Sequence, residues 1–176
     1  GKKYVDMLGG IATNILGHSH PAVVTAVNRQ IKTLSHVSNF YSHPNAIELA
    51  QILVRLTGDK QSRVFFAQSG AEVNEAAIKL ARLFGRNKGI DNPVIIVTNQ
   101  SFHGRAMATL SATGNRKVQA GFEPLLSGFA RVPYDDTDAI RQVAENNKNV
   151  VAIFIEPIQG EGGIQIPHPH YLNELR

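Results

Sequence analysis

The sequence contains no cysteine among its 176 residues. This absence excludes a disulfide framework, a thiolate zinc site and a cysteine nucleophile, and it fits a reducing compartment. No apolar stretch approaches the ~18 residues of a membrane-spanning helix, and no secretory signal opens the chain. The net charge of +4 comes from scattered Lys and Arg, without a run of about five or six basic residues. We therefore expect neither a membrane nor a nucleic-acid partner.

The residues that are present are typical of an α/β domain. Hydrophobic residues make up 43% of the chain, which is enough for a core. Apolar periodicity and turn residues predict, in chain order, a strand at 4–8, helices that open at Pro21 and Pro44, a strand at 63–67, a helix at 71–84, strands at 94–98 and near 129–132, a helix at 137–146 and a strand at 150–155. The continuously apolar runs at 94–97 and 150–155 favour a mainly parallel sheet with helices on both faces.

Ligands of open α/β sheets bind beyond the carboxyl ends of the strands. Three predicted loops leave such ends, at 68–72, 99–105 and 156–163. We expect these loops to converge, since parallel strands end at the same edge of a sheet. The functional site is therefore predicted at this edge.

The first loop contains a helix start. Ser69 and Glu72 form an S-x-x-E capping box, and Gly70 leaves the backbone of the first turn uncovered. Free N–H groups at the positive end of a helix bind anions, most often phosphate. The alternative is an ordinary capped helix with no ligand.

The second loop combines an aromatic ring, a glycine and a cation. Phe102 next to His103 and Gly104 is suited to stacking on a flat ring, because glycine allows close approach. Arg105 is suited to bidentate binding of a carboxylate. The alternative is that Phe102 belongs to the core and Arg105 is a solvated surface charge.

The third loop carries two carboxylates, Glu156 and Glu161, after an apolar strand. Such a pair raises the hypothesis of glycoside hydrolysis, which needs an acid together with a base or nucleophile. The alternative is a Gly-Pro turn with solvated acids.

Two histidine pairs have ligand-like i, i+2 spacing, His18 with His20 and His168 with His170. Neither pair is accompanied by cysteine or a clear carboxylate set, so we expect structural roles and no metal.

Taken together and in order, these motifs resemble the class III aminotransferases, which use pyridoxal 5'-phosphate (PLP) on a fold type I, aspartate-aminotransferase-like scaffold. The matching segments are 9–21, 69–76, 102–105 and 156–163. Segments 14–18 and 36–39 are similar to the acetylornithine and succinylornithine branch of the family. Aminotransferases of 4-aminobutyrate or other ω-amino acids are the alternative within the family, and a non-catalytic ligand-binding domain is a further alternative outside it.

The resemblance implies a role for each motif residue. It implies that Ser69, Gly70 and Ala71 hold the cofactor phosphate and that Phe102 stacks on the pyridine ring, with His103 beside it. It implies that Arg105 binds the α-carboxylate of an amino acid, with Glu161 and Glu156 near the substrate.

The resemblance also implies residues that this chain does not contain. The family needs a Schiff-base lysine and an aspartate at the pyridine nitrogen, and both are expected beyond Arg176. None of Lys79, Lys117 and Lys148 has the setting of that lysine. We therefore expect an inactive fragment of a cytoplasmic homodimer that acts on amino acids and 2-oxo acids. Its residues 1–35 would be an N-terminal segment with part of the small domain, and 36–176 a partial large domain.

Overall fold

The computed structural model describes all 176 residues. The chain forms two compact units, Gly1–Val64 and Phe65–Arg176. The elements in chain order are α1 (Gly9–Ala12), α2 (Pro21–Ile31), α3 (Pro44–Thr57), α4 (Gly70–Asn87), β1 (Val94–Thr98), α5 (Met107–Ala112), α6 (Arg116–Gln119), β2 (Phe129–Val132), α7 (Thr137–Asn146), β3 (Val150–Phe154) and α8 (Tyr171–Glu174). None of the helices combines the length and the apolar composition that crossing a lipid bilayer requires. The assignment of separate domains with a boundary after residue 35 stays a prediction.

The unit Gly1–Val64 contains helices and no strand. Pro21 and Pro44 begin α2 and α3, as predicted, because proline suits the first helical position. The predicted strand at 4–8 is wrong. The carboxylate of Asp6 accepts the backbone N–H groups of Leu8 and Gly9, which turns the chain into α1 instead of extending it.

The unit Phe65–Arg176 is built on a sheet of three parallel strands in the order β2-β1-β3. Ile95 and Val97 of the central strand pack with α4 and α5 on one face of the sheet. Ile96 points to the other face and packs with Val132 and with α7 and α8. The prediction of a parallel sheet covered on both faces is therefore confirmed, and the alternation along β1 follows from the two-residue period of a strand.

Two predictions about strands need correction. Residues 63–67 form no strand, and Phe65 and Phe66 are 67% and 46% exposed, because no neighbouring strand supplies a hydrogen-bond ladder. The continuous apolar run at 150–155 predicts a strand that is buried on both faces; the strand forms as β3, but its residues are half-buried. It pairs only with β1, so one of its edges stays open.

Candidate functional site

The three predicted loops converge in the unit Phe65–Arg176. Helix α4 reaches the second loop through Asn74, whose Nδ2 donates to the carbonyl oxygen of His103 at 2.9 Å. The third loop reaches it through Glu156, whose Oε2 accepts the backbone N–H of Phe102 at 3.0 Å. Gln159 adds a bond from its Nε2 to the carbonyl oxygen of Asn99 at 2.9 Å. The second loop is therefore hydrogen-bonded to α4, directly after the first loop, and to the third loop.

The first loop ends in the predicted helix cap. Ser69 Oγ accepts the backbone N–H of Glu72 at 3.3 Å, which confirms the forward half of the capping box. The return bond is shifted by one residue, because Glu72 Oε2 accepts the N–H of Gln68 at 2.7 Å. The cap therefore satisfies Gln68 and Glu72 and leaves the two amides between Ser69 and Glu72 free.

Those free amides belong to Gly70 and Ala71, whose N–H groups donate no hydrogen bond. They lie at the positive end of an 18-residue helix. A Cβ placed on Gly70 would have no heavy atom within 4 Å, so the space over this turn is open. Two unused donors, open space and a helix dipole fit a phosphate group.

Gly104 brings the second loop against this helix end. Its φ of +133° disfavours any residue with a side chain. A Cβ there would also lie 2.7 Å from Thr109 Oγ1 and 3.0 Å from Ala71 Cβ. The close approach of the backbone at 104 to Ala71 therefore requires glycine.

His103 is buried, with 3% of its surface exposed, and it stacks on Phe154 with ring centroids 4.3 Å apart. Burial, together with a smaller contribution from the positive charge of Arg131, lowers the pKa of the imidazole to about 4. The imidazole is therefore neutral near pH 7, and its Nε2 has no partner. The resemblance implies that His103 lies beside the cofactor, which stays a prediction, and the structure shows that its ring packs against Phe154 in the core.

Phe102 and Arg105 remain available at the edge of the site. Phe102 is half-buried, and the guanidinium of Arg105 lies 6.0 Å from the centroid of its ring. Arg105 is exposed and forms no ion pair, so its charge is free for a ligand. The alternative of Phe102 as a fully buried core residue is not what the structure shows.

Glu156 connects the third loop to the second. Its Oε2 accepts the Phe102 N–H, and its Oε1 accepts the Gly160 N–H at 3.5 Å. Burial raises the pKa of this carboxyl, the two backbone bonds lower it, and the charge of Glu161 raises it. Glu161 itself is exposed and lines a surface cleft with Arg116 and Lys117. The two carboxylates therefore have different environments, one structural and one open.

Several residues that hold the site together escaped the sequence analysis. They are Asn74, Glu75, Thr109, Thr113 and Gln159. Asn74, Glu75 and Gln159 lie within the matching segments 69–76 and 156–163, but the sequence does not reveal their hydrogen-bond partners, which lie 29 to 61 residues away. Thr109 and Thr113 lie outside the matching segments. Such pairings become visible only in the folded chain.

The lysines and histidines have ordinary surroundings. Lys79 lies within α4, as predicted, whereas Lys117, which the polar composition around it places in a loop, lies in the short helix α6. His18 bonds to Asp6 at 2.8 Å, and His168 Nε2 lies 3.8 Å from Asp135. No cluster of three or more potential metal ligands is present.

Comparison with known proteins adds a family. The model of the family described as aminotransferase class-III matches residues 1–176. The acetylornithine aminotransferase of Nitrosomonas europaea is 56% identical over 176 residues, which is all of this chain and 44% of that protein. The chain thus spans less than half the length of this curated relative.

Two solved structures are similar over nearly the whole chain. The ornithine aminotransferase of Toxoplasma gondii, crystallised with oxidised glutathione and with partial occupancy of PLP at its active site, superposes with a TM-score of 0.91. It is 32% identical and covers 99% of this chain and 42% of its own. The N-acetylornithine aminotransferase of Stenotrophomonas maltophilia is also 32% identical, with a TM-score of 0.81 over 100% of this chain and 42% of its own.

Proposed function

We propose, because this chain belongs to the class III aminotransferase family, that the enzyme containing it moves the terminal amino group of an N-acylated ornithine to 2-oxoglutarate. Acetylornithine is the proposed donor, and arginine metabolism is the proposed setting. The observation that carries this proposal is the 56% identity to an acetylornithine aminotransferase across the whole chain. A cytoplasmic homodimer is part of the same proposal. The glycoside hydrolase alternative is not favoured, because both oxygens of Glu156 accept backbone N–H groups.

The proposed cofactor is PLP, which supplies an electron sink for negative charge that develops at the carbon bearing the amino group. Gly70 and Ala71 are proposed to hold its phosphate through their free N–H groups, with the Ser69 hydroxyl beside them. The support is the open space over Gly70 and the positive end of α4. Phosphate oxygens would then receive charge-assisted hydrogen bonds from a preformed backbone.

Phe102 is proposed to cover one face of the flat cofactor ring. Its backbone N–H donates to Glu156, so the third loop holds the backbone from which the aromatic ring extends. His103, the next residue, stacks on Phe154 and so helps to fix the backbone beside Phe102. We therefore propose that His103 acts on the cofactor through the shape of the loop.

Arg105 is proposed to bind the α-carboxylate of the amino-acid substrate. An exposed guanidinium without an ion-pair partner has its five donors free for bidentate binding. Glu161 is proposed to face the second part of the substrate, because it is exposed beside a cleft lined by cations. Glu156 was predicted beside the substrate as well, and the proposal for it is now to hold Phe102 in place.

None of the lysines of this chain is proposed as the covalent partner of the cofactor. Lys79 lies beyond the second turn of α4, and Lys117 and Lys148 lie on the surface. Residues 1–176 are therefore proposed to bind cofactor and substrate groups and to be inactive by themselves. The nucleophile and the partner of the pyridine nitrogen are proposed to belong to the rest of the enzyme.

A panel of amino donors tests the proposal on the enzyme that contains this chain. We expect a visible absorbance band that borohydride abolishes, and a kcat/KM for acetylornithine that exceeds those for ornithine and 4-aminobutyrate. Preference for 4-aminobutyrate would move the enzyme to another branch of the family. A colourless protein that transaminates no donor would overturn the proposed function.

A further inference from the structure

Helix α4 carries two polar side chains, Asn74 and Glu75, that lie outside the proposed binding set. Asn74 Nδ2 donates to the carbonyl oxygen of His103 at 2.9 Å. Glu75 Oε1 accepts the backbone N–H of Thr109 at 2.8 Å. Both side chains are half-buried, so both bonds are shielded from competing water. Two adjacent residues of one helix thus hold the two ends of segment 103–109.

The bond to Glu75 replaces a missing local cap. Helix α5 begins at Met107, and its N-cap residue Ala106 has no side chain that can accept a hydrogen bond. The Thr109 N–H is one of the donors that a helix start leaves without an intrahelical partner. Because Glu75 provides the acceptor, the start of α5 is fixed to α4.

Arg105 lies between the two fixed ends. The backbone of the preceding residue, Gly104, is packed against Ala71, and Thr109 Oγ1 donates to the carbonyl oxygen of Ala106 at 3.0 Å. The segment is therefore held at its beginning, its middle and its end. The exposed guanidinium of Arg105 extends from a backbone that is tied to α4 on both sides.

The same helix also carries the proposed phosphate site. Gly70 and Ala71 belong to the first turn of α4, and Asn74 and Glu75 belong to the second. A continuous helix is a stiff spacer. The separation between bound phosphate and bound carboxylate is then determined by how segment 103–109 is attached to α4.

We propose that Asn74 and Glu75 are positioning residues, which hold Arg105 at the distance from the phosphate-binding turn that a substrate attached to the cofactor requires. The inference rests on the proposed functions of Gly70, Ala71 and Arg105. Neither residue touches substrate, and each acts through segment 103–109. Misplacement of a binding group by about 1 Å can slow an enzyme by about a hundredfold.

The test compares Glu75→Ala with Glu75→Gln in the enzyme that contains this chain. Alanine removes the acceptor for the Thr109 N–H, whereas the amide oxygen of glutamine keeps it. For Glu75→Ala we expect KM for the amino donor to rise about tenfold or more, with the Kd for PLP within about threefold of wild type. Glu75→Gln is expected to restore KM to within about threefold. A general loss of folding would instead weaken PLP binding in both variants.

A second variant and a control keep the test decisive. Asn74→Ala removes the tie between α4 and the other end of the segment, where Thr113 still accepts the His103 N–H, and is expected to give the same separation of KM from PLP affinity with a smaller rise in KM. Glu145→Ala removes an exposed glutamate of α7 that makes no hydrogen bond, and it is expected to leave both constants unchanged. Unchanged KM in both Glu75→Ala and Asn74→Ala would overturn the proposal.

Amide hydrogen exchange provides a readout that does not depend on activity. Glu75→Ala is expected to speed exchange in peptides covering 103–109 by about tenfold or more, with β1 protected as in wild type. Unchanged exchange in that segment would overturn the proposal even for an active enzyme. A wild-type enzyme that binds no PLP would overturn the proposed function instead. In that case, faster amide exchange of segment 103–109 in Glu75→Ala would still show that the segment is attached to α4.

Discussion

The two compact units differ in how they use their apolar residues. In Phe65–Arg176, side chains from β1, β2 and four helices form two buried clusters on the two faces of the sheet. In Gly1–Val64, no residue is buried, although α2 and α3 are amphipathic helices with proper starts. Capping and periodicity are therefore enough to define a helix, whereas a core requires a second surface that local signals do not provide.

The candidate site lies wholly in the unit that has a buried core. Its free amides, its glycine contact and its polar ties all belong to the unit with a core. A packed sheet fixes the ends of its strands, so the loops that leave them are held in place. The predictions below test whether function and stability depend on Phe65–Arg176 as strongly as this comparison indicates.

The largest effect is expected for the chain expressed by itself. The exposed apolar residues of α2, Val24, Val27 and Ile31 among them, together with the open edge of β3, favour association. We expect residues 1–176 to be oligomeric, aggregated or molten in light scattering, and to transaminate nothing. Substitution of these three residues by Asn is expected to shift the distribution toward monomer. A monodisperse wild-type chain that melts cooperatively would contradict this prediction.

Replacement of Gly70 by Val tests the proposed phosphate site in the enzyme that contains this chain. The new side chain meets no protein atom near its Cβ, so the fold is expected to tolerate it. It would occupy the space over the free amides and weaken PLP binding by about 2–4 kcal/mol. Ala22→Val, at the start of α2 in the other unit, is the matched control with an unchanged Kd. Unchanged PLP affinity in Gly70→Val would show that the cofactor phosphate does not bind at this turn.

Replacement of Arg105 by Lys tests the carboxylate site. Lysine keeps the charge and loses the planar fork, so kcat/KM for the amino donor is expected to fall about tenfold to several hundredfold with PLP still bound. Arg29→Lys in α2 makes the same chemical change in Gly1–Val64 and is expected to leave the kinetics at the wild-type level. Equal kinetics in both variants would make Arg105 an ordinary surface residue.

The smallest effect is expected from the buried imidazole of His103. Burial lowers its pKa to about 4 from the usual 6.5, so the unfolded chain takes up the proton first as pH falls. The stability that the neutral ring contributes is complete above about pH 6.5 and is lost between pH 6.5 and 4. We expect a loss on the order of 1–2 kcal/mol between pH 7 and 5 in denaturation experiments. His103→Phe keeps a ring against Phe154 and should remove this part of the pH dependence; an unchanged slope would contradict the assignment.

The features that the sequence predicted share a local cause. The starts of α2 and α3 at proline, the Ser69 cap and the bounds of β1 follow from neighbouring residues. The ordered motifs also predicted the family, which the comparisons confirm. The prediction of a strand at 63–67 was wrong for the opposite reason. An apolar run becomes a strand only beside another strand, and the run itself does not reveal whether a neighbouring strand is present.

The sequence by itself determined the four longest helices α2, α3, α4 and α7, the parallel sheet, the family and the residues that are candidates for binding, because periodicity, capping and motif spacing can be read from the chain itself. The short helices α1, α5, α6 and α8 appeared only in the structure. The tertiary structure decided which candidates stand free and which are used to hold the loops. In the folded chain the ring of His103 packs on Phe154 in the core, and Glu156 accepts the N–H of Phe102. Asn74 and Glu75 bind the two ends of segment 103–109 to α4. Those outcomes depend on partners tens of residues away, and only folding brings such partners within hydrogen-bond distance.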